Sequence, residues 1–367
     1  MANLLDYLFW RGDLPLAAVP YNEIDGAILA RLSYFPFDVI GLTEDRVLPI
    51  QEAVQAFLAV PDMEERVLLR EDFDLIRALA ESPRFRSLPL SRYRNIFDAE
   101  NETQFCAVTV RLADELTYVS YRGTDNTLVG WKENFNMGFA SPVPAQRLAV
   151  AYFQELAEKT PGSFLLGGHS KGGNLAVYAA AFCGDAAQAR VRAVYNFDGP
   201  GFDAKLMNAP GYDRICSRTH TLIPQSSVVG MLLEHEEEYT VVHSSQTGLM
   251  QHDIYSWDVD RERFLYLESV TGGSRFLDTT LKDWLAGLDY DQREAFVDAL
   301  YSVLRDTNVR SLREMNKNRA ASAQAMIKSL AGMDESTRKM LLRTLRSLMR
   351  CAGEELTVWA REGIESL

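Results

Sequence analysis

The sequence predicts an α/β fold: a mostly parallel sheet flanked by helices, with mainly helical extensions before and after it. Three observations lead there. Short apolar runs at Phe164–Leu166, Val191–Phe197 and Arg218–Pro224 alternate with stretches of helical periodicity, the pattern of strands joined by crossover helices. These runs lie too far apart for hairpins, which points to parallel strands covered on both faces. The first run meets Gly167-Gly168-His169-Ser170-Lys171-Gly172-Gly173 and then an Ala-rich stretch, a strand, a sharp turn and a helix in succession.

A length of 367 residues allows one large domain with additions or two domains, and is enough to bury a substantial core. Apolar residues make up 47% and charged residues 24%, as in ordinary globular chains. The net charge of -13 argues against nucleic acid as a partner, because phosphate binding needs clustered Lys and Arg. The opening MANLLDYLFWRGDLP lacks a basic segment followed by an unbroken apolar one, so no secretory signal is expected. No stretch approaches the length of a membrane span. Cys106, Cys183, Cys216 and Cys351 are scattered without metal-ligand spacing and read as reduced thiols. A cytoplasmic location, with neither metal nor organic cofactor, is the resulting expectation.

Residues 1–90 read as a mainly helical extension. Asn22–Leu32, Ile50–Leu58 and Phe73–Ala80 carry apolar residues at helical intervals. The first ends before the aromatic loop Tyr34-Phe35-Pro36-Phe37, and the last stops at Ser82-Pro83, where proline disfavours continuation. From Tyr93 the period becomes extended. Gln104–Arg111 and Leu116–Tyr121 are rich in β-branched and aromatic residues and predict a hairpin, with Arg94–Ala99 as a further strand candidate. Ala145–Lys159 is an amphipathic helix ending at Pro161-Gly162, and Tyr239–His243 is one more short strand. The core is thus expected over residues 91–271. Residues 272–367 return to helical spacing at Asp291–Leu304, Leu312–Leu330 and Asp334–Ala352, with Asp291 and Asp334 as N-caps. Basic residues among the leucines of the last segment read as a solvated helix face, the alternative being a surface for a partner or anionic lipid.

Gly168-x-Ser170-x-Gly172 is the nucleophile-elbow pattern, in which a strained turn presents the serine above the end of a strand. The bare pattern arises by chance about once in ten chains of this length at average Gly and Ser usage, so its setting carries the weight. A serine hydroxyl needs a base, and the base a carboxylate that fixes its tautomer. Four histidines follow Ser170. His220 lies in a strand candidate, His235 in an acidic run, and His243 at a strand end. His252 lies in a loop after the last major strand and is the favoured base, with His243 as the alternative. Asp198 ends a strand before Gly199-Pro200-Gly201 and is the candidate acid, its alternative role being to stabilise that turn.

These residues resemble the α/β-hydrolase superfamily, and within it the class 3 lipases. The resemblance rests on Tyr121-Arg122-Gly123-Thr124 with Trp131 beyond it, and on Gly168-His169-Ser170-Lys171-Gly172-Gly173-Asn174-Leu175-Ala176. It covers about residues 90–260. Together with Asn22–Leu32 and Gln251–Trp257, the chain also resembles, nearly end to end, an Mbeg-like bacterial family of lipase-related proteins. The resemblance implies Ser170 as nucleophile, His252 as base, and an oxyanion hole from the Lys171 amide and the main chain and hydroxyl of Thr124. Two departures stand out. Class 3 lipases carry their acid after the next strand, where this chain has Pro224-Gln225-Ser226-Ser227-Val228-Val229 without a carboxylate. Either Asp198 supplies the acid or the triad is degenerate, and Asp198 is preferred. Lys171 stands where lipases carry an apolar residue, so it is expected either to attract an anionic substrate group or to lie in solvent.

The expected activity is hydrolysis of a carboxylic ester, small or lipid, through an acyl-enzyme on Ser170. A thioester would use the same parts. The rival expectation is a binding or scaffold protein that kept the fold and lost the chemistry.

Overall fold

A computed structural model describes residues 2–124, 133, 137, 142–202, 204–227, 229–230 and 238–271, with scattered positions between 328 and 346. Trp131, His235 and Cys351 lie outside the described residues, as do the helices expected over Asp291–Leu304 and most of Leu312–Leu330. Asp334 does cap a helical stretch at 335–340, accepting the Thr337 amide at 2.9 Å.

The first two helices open with matched caps. Helix α1 (Leu4–Arg11) follows Asn3 and α2 (Glu23–Leu32) follows Asn22, and each asparagine accepts two first-turn amides. The aspartate three residues on, Asp6 or Asp25, returns a bond to the cap amide, so orphan donors at both helix starts are satisfied reciprocally. Strand β1 (Leu48–Pro49), α3 (Ile50–Leu58) and α4 (Arg70–Glu81) complete the N-terminal layer. The sequence reading found α2, α3 and α4 but not α1, whose eight residues follow the Met-Ala-Asn opening.

The sheet begins with β2 (Pro89–Asp98), β3 (Thr103–Ala113) and β4 (Leu116–Tyr121), an antiparallel meander. Helix α5 (Pro144–Lys159) then leads to β5 (Ser163–His169), α6 (Lys171–Phe182), β6 (Val191–Phe197), α7 (Pro210–Cys216), β7 (Thr219–Pro224) and β8 (Tyr239–Val242). From β4 to β8 every neighbouring pair is parallel. The small hairpin of β9 (Val259–Asp260) and β10 (Arg263–Phe264) precedes β11 (Tyr266–Leu267), which closes the edge antiparallel to β8. The described sheet thus has nine strands in the order β1-β2-β3-β4-β5-β6-β7-β8-β11, an α/β architecture whose parallel strands form its centre.

Strand alternation divides the interior into two layers. Cys106, Val108, Val110, Tyr118 and Leu165 face one side and pack with Leu4, Ile28, Phe57 and Ile76 of the N-terminal helices. Phe105, Ala107, Val119, Phe164 and Leu166 face the other and pack with Tyr152, Phe153, Leu175 and Ala176 of α5 and α6. Among the described residues, no helix is long and apolar enough to cross a membrane.

Two buried ion pairs hold the N-terminal layer. Arg84 meets Asp25 through Nε at 2.8 Å and Nη2 at 2.5 Å, and its remaining donors take the carbonyls of Leu14, Val19 and Pro20 at 3.0 Å. Arg31 grips Asp72 with Nε at 2.9 Å and Nη2 at 2.7 and 2.8 Å. Every charge here has a partner, so removing one member strands the other in a dry interior. Asp25→Ala is therefore expected to lower unfolding stability by about 3–5 kcal/mol, read as a shift in the urea midpoint. A shift no larger than that of Asp185→Ala, at the exposed Arg214 pair, would count against this account.

Candidate active site

The parallel register brings three strand ends together. Tyr121 of β4 lies opposite Gly168 of β5, His169 opposite Phe197 of β6, and Phe197 opposite Leu222 of β7. The residues that follow, Thr124, Ser170 and Asp198, therefore emerge at one sheet edge, where sites in parallel sheets form.

Ser170 has φ 60° and ψ -135°, a conformation that costs on the order of 1–3 kcal/mol for a residue with a side chain. Its surroundings hold it there. Its amide donates to the Phe197 carbonyl at 2.9 Å, and its carbonyl accepts from Gly173 at 2.9 Å. The glycines on either side serve close approach: a Cβ at Gly168 would stand 2.3 Å from the Gly172 carbonyl carbon, and one at Gly172 would stand 2.1 Å from the Tyr121 oxygen. The strand, the helix and the neighbouring strand thus cross at a point with no room for side chains.

Asp198, also at positive φ (53°), is fully buried and points its Oδ2 at His252 Nδ1, 2.6 Å away. Its Oδ1 accepts the Ser227 hydroxyl and the Gly230 amide, the latter at 3.1 Å. The turn beyond it is stabilised by another residue, since Asn196 accepts the Gly199 amide at 2.9 Å. The segment after β7 that lacks a carboxylate therefore supplies hydrogen-bond donors to the carboxylate of β6. His243, the alternative base, has a different partner: its Nδ1 lies 2.5 Å from Asp258 Oδ2. His220 is exposed and stacks on Tyr195.

The His252 loop is fastened at several points. Gln251 accepts the Ser226 amide at 2.7 Å and donates to the Gln246 carbonyl at 2.8 Å, while the Trp257 indole donates to the Gln251 carbonyl at 2.8 Å. His169, which sequence reasoning passed over, completes the attachment. Its Nε2 lies 2.7 Å from the His252 carbonyl oxygen, which only accepts, so Nε2 carries the proton. The two rings lie 4.6 Å apart. Among the described residues, no hydrogen bond joins Ser170 to His252, so the imidazole is paired with its carboxylate and not with the serine.

Thr124 follows Gly123, where a Cβ would stand 3.0 Å from that of Ser170. Its hydroxyl is enclosed by protein and has no hydrogen-bond partner among the described residues. Lys171 opens α6, where helix geometry aims the first amides toward the N-terminal end. Its side chain overturns both sequence expectations. The ammonium is fully buried, donating to the Gln104 carbonyl at 2.7 Å, to Gln104 Oε1 at 3.1 Å and to Glu133 Oε2 at 2.8 Å. It faces neither solvent nor a substrate, because Glu133 neutralises it inside the fold. Glu133, buried as well, also accepts the Gln104 amide at 3.1 Å and the Ala145 amide at 2.8 Å, joining β3, the start of α5 and the start of α6.

A sequence model described as Mbeg1-like matches residues 79–302, well over half of the chain. The chain belongs to the Mbeg1-like family. The matched span contains Thr124, Ser170, Asp198 and His252 and is shorter than the nearly end-to-end likeness read from the sequence. Among solved structures, the chain is similar to the native Rhizomucor miehei lipase propeptide complex at 14% identity, covering 59% of this chain and 67% of that one with a TM-score of 0.38. It is similar to M37 lipase at 14% identity, covering 57% and 69% with a TM-score of 0.35. No curated protein matches the chain.

Burial, reinforced by His252 and Arg31, holds the His169 ring well below its ordinary value of 6.5. The folded chain therefore refuses a proton that the unfolded chain accepts near pH 6.5, so this contribution is full above that pH and is lost as the medium becomes more acidic. Urea unfolding at a series of pH values is expected to show wild-type stability falling below pH 6.5 more steeply than that of His169→Gln, by up to about 1.4 kcal/mol per pH unit. Equal slopes would contradict it.

Proposed function

We propose that this chain is a serine hydrolase that cleaves a carboxylic ester through an acyl-enzyme on Ser170. One observation carries the reading: the His252–Asp198 pair, 2.6 Å apart, at the sheet edge where Ser170 holds its strained backbone. A carboxylate at Nδ1 keeps the proton on that nitrogen and leaves the Nε2 lone pair to act as base.

In this reading, substrate binding closes the Ser170–His252 hydrogen bond. Ser170 Oγ then attacks the carbonyl carbon as its proton passes to His252 Nε2. Asp198 stabilises the imidazolium from the far side, itself held in place by the Ser227 hydroxyl and the Gly230 amide. The Thr124 hydroxyl, a buried donor without an acceptor among the described residues, meets the developing oxyanion together with the Lys171 amide; two such donors contribute several kcal/mol in sites of this kind. The imidazolium protonates the departing alkoxide, and water deacylates the serine by the same route in reverse. A thioester places a thiolate in the leaving position and uses the same groups.

Treatment with a fluorophosphonate probe is expected to label the wild type and not Ser170→Ala. Turnover across a panel of short- and long-chain esters and thioesters then identifies the substrate. Asp198→Asn is expected to keep the fold and lower kcat about 10⁴-fold, the scale seen when a triad histidine loses its tautomer control. Well-folded wild type that neither labels nor turns over any of the panel would sink the proposal in favour of a binding role.

A further inference from the structure

Tyr34 lies before the matched family segment, in the aromatic loop after α2, yet its hydroxyl reaches the middle of the candidate site. That oxygen accepts the Gly123 amide at 3.1 Å and donates to the His169 carbonyl at 3.2 Å, with His169 Nδ1 3.4 Å away. Gly123 precedes Thr124, and His169 precedes Ser170. A single phenol therefore bridges the two backbone segments whose separation determines how far the Thr124 donors lie from the nucleophile. A Cβ at Gly123 would stand 2.2 Å from the Tyr34 oxygen and 2.6 Å from the His169 carbonyl oxygen, so the three groups are in close contact.

The ring is held as firmly as the hydroxyl. The Arg31 guanidinium lies 3.8 Å from its centroid, a cation–π contact in a desolvated setting. Arg31 is fixed by its two-armed grip on Asp72, and Asp72 also accepts the Tyr255 hydroxyl at 2.8 Å. Tyr255 lies three residues beyond His252. Burial, partly offset by Arg31, pushes the Tyr34 hydroxyl up to about 12, which keeps it a donor across the neutral range.

We propose that Tyr34, backed by Arg31 and Asp72, is a positioning residue that sets the distance between the oxyanion loop at Gly123–Thr124 and the strand end bearing Ser170. The proposal rests on the hydrolase reading above and extends it to the N-terminal layer, which thereby becomes part of the catalytic apparatus. Tyr34 touches no reacting atom; it acts through the backbone of Gly123 and His169. Its loss is therefore expected in kcat, where transition-state contacts are made, and not in KM.

The test compares Tyr34→Phe with Tyr118→Phe, which removes a buried hydroxyl bonded to the Gly26 carbonyl on the same side of the sheet. Tyr34→Phe is expected to slow fluorophosphonate acylation and ester kcat by about 10- to 100-fold, the cost of a misplaced catalytic group, with KM within about twofold. The Gly123 amide should exchange faster with deuterium. Tyr118→Phe is expected to keep kcat despite a similar loss of stability. Tyr34→Phe with wild-type kcat and acylation, or an equal kcat loss in Tyr118→Phe, would overturn the proposal. Should Tyr34→Phe fail to fold, Arg31→Lys, which keeps the charge but loses the planar grip on Asp72, is expected to give the same split between kcat and KM; unchanged kcat there would overturn it too. If the wild type neither labels nor turns over, the hydrolase reading has failed by itself. Amide exchange then decides: faster exchange at Gly123 in Tyr34→Phe supports the strut, and unchanged exchange overturns it.

Discussion

The backbone of Ser170 is the constraint on which the rest of the site depends. A serine at φ 60° and ψ -135° relaxes unless the chain on both sides is pinned. On one side the pin is the β5–β6 register, extended by one bond from the Ser170 amide to Phe197. On the other it is α6, drawn against the Tyr121 carbonyl through glycines with no side chain to interpose. Below the turn, the buried Lys171–Glu133 pair ties the first residue of α6 to β3 and to the start of α5. A buried pair of this kind adds little net stability compared with an apolar substitute, and its consequence here is geometric: α6 cannot slide along the sheet without leaving a charge unpaired.

The elements around the elbow were legible because their signals are local. Apolar strands, helical spacing and the glycines of the turn each act within a few residues, and the parallel centre of the sheet followed from them. Asp198 and His252 were legible through chain order and strand-end position, and the structure pairs them. The side chain of Lys171 was not legible, because its partners lie on β3 and at Glu133, a position that carries no motif. Tyr34 was hidden for the same reason. An aromatic residue after a helix reads as core, and only the tertiary fold shows its hydroxyl between two backbones. His169 carried a usable signal, sitting directly before the serine at the end of a buried strand, where an imidazole needs a polar partner.

The N-terminal layer is thus more than a cover for one face of the sheet. Its two buried arginines differ in what they fasten. Arg84 gathers the carbonyls of the loop before α2 and closes that loop on Asp25. Arg31 lies nearer the sheet edge, where its partner Asp72 also holds Tyr255. Two similar ion pairs serve different ends, one internal to the layer and one shared with the His252 loop.

The Ser227 contact bears on how such chains are sorted. Asp198 and Ser227 come from adjacent strand ends and converge on one spot beside His252, one giving the carboxylate and the other a hydroxyl to it. The carboxylate that meets His252 therefore occupies a place between β6 and β7, open to supply from either, and two carboxylates there would repel each other. A search for a carboxylate partner of the histidine at one fixed strand would pass this chain over. A search for that place, whichever strand fills it, would keep it.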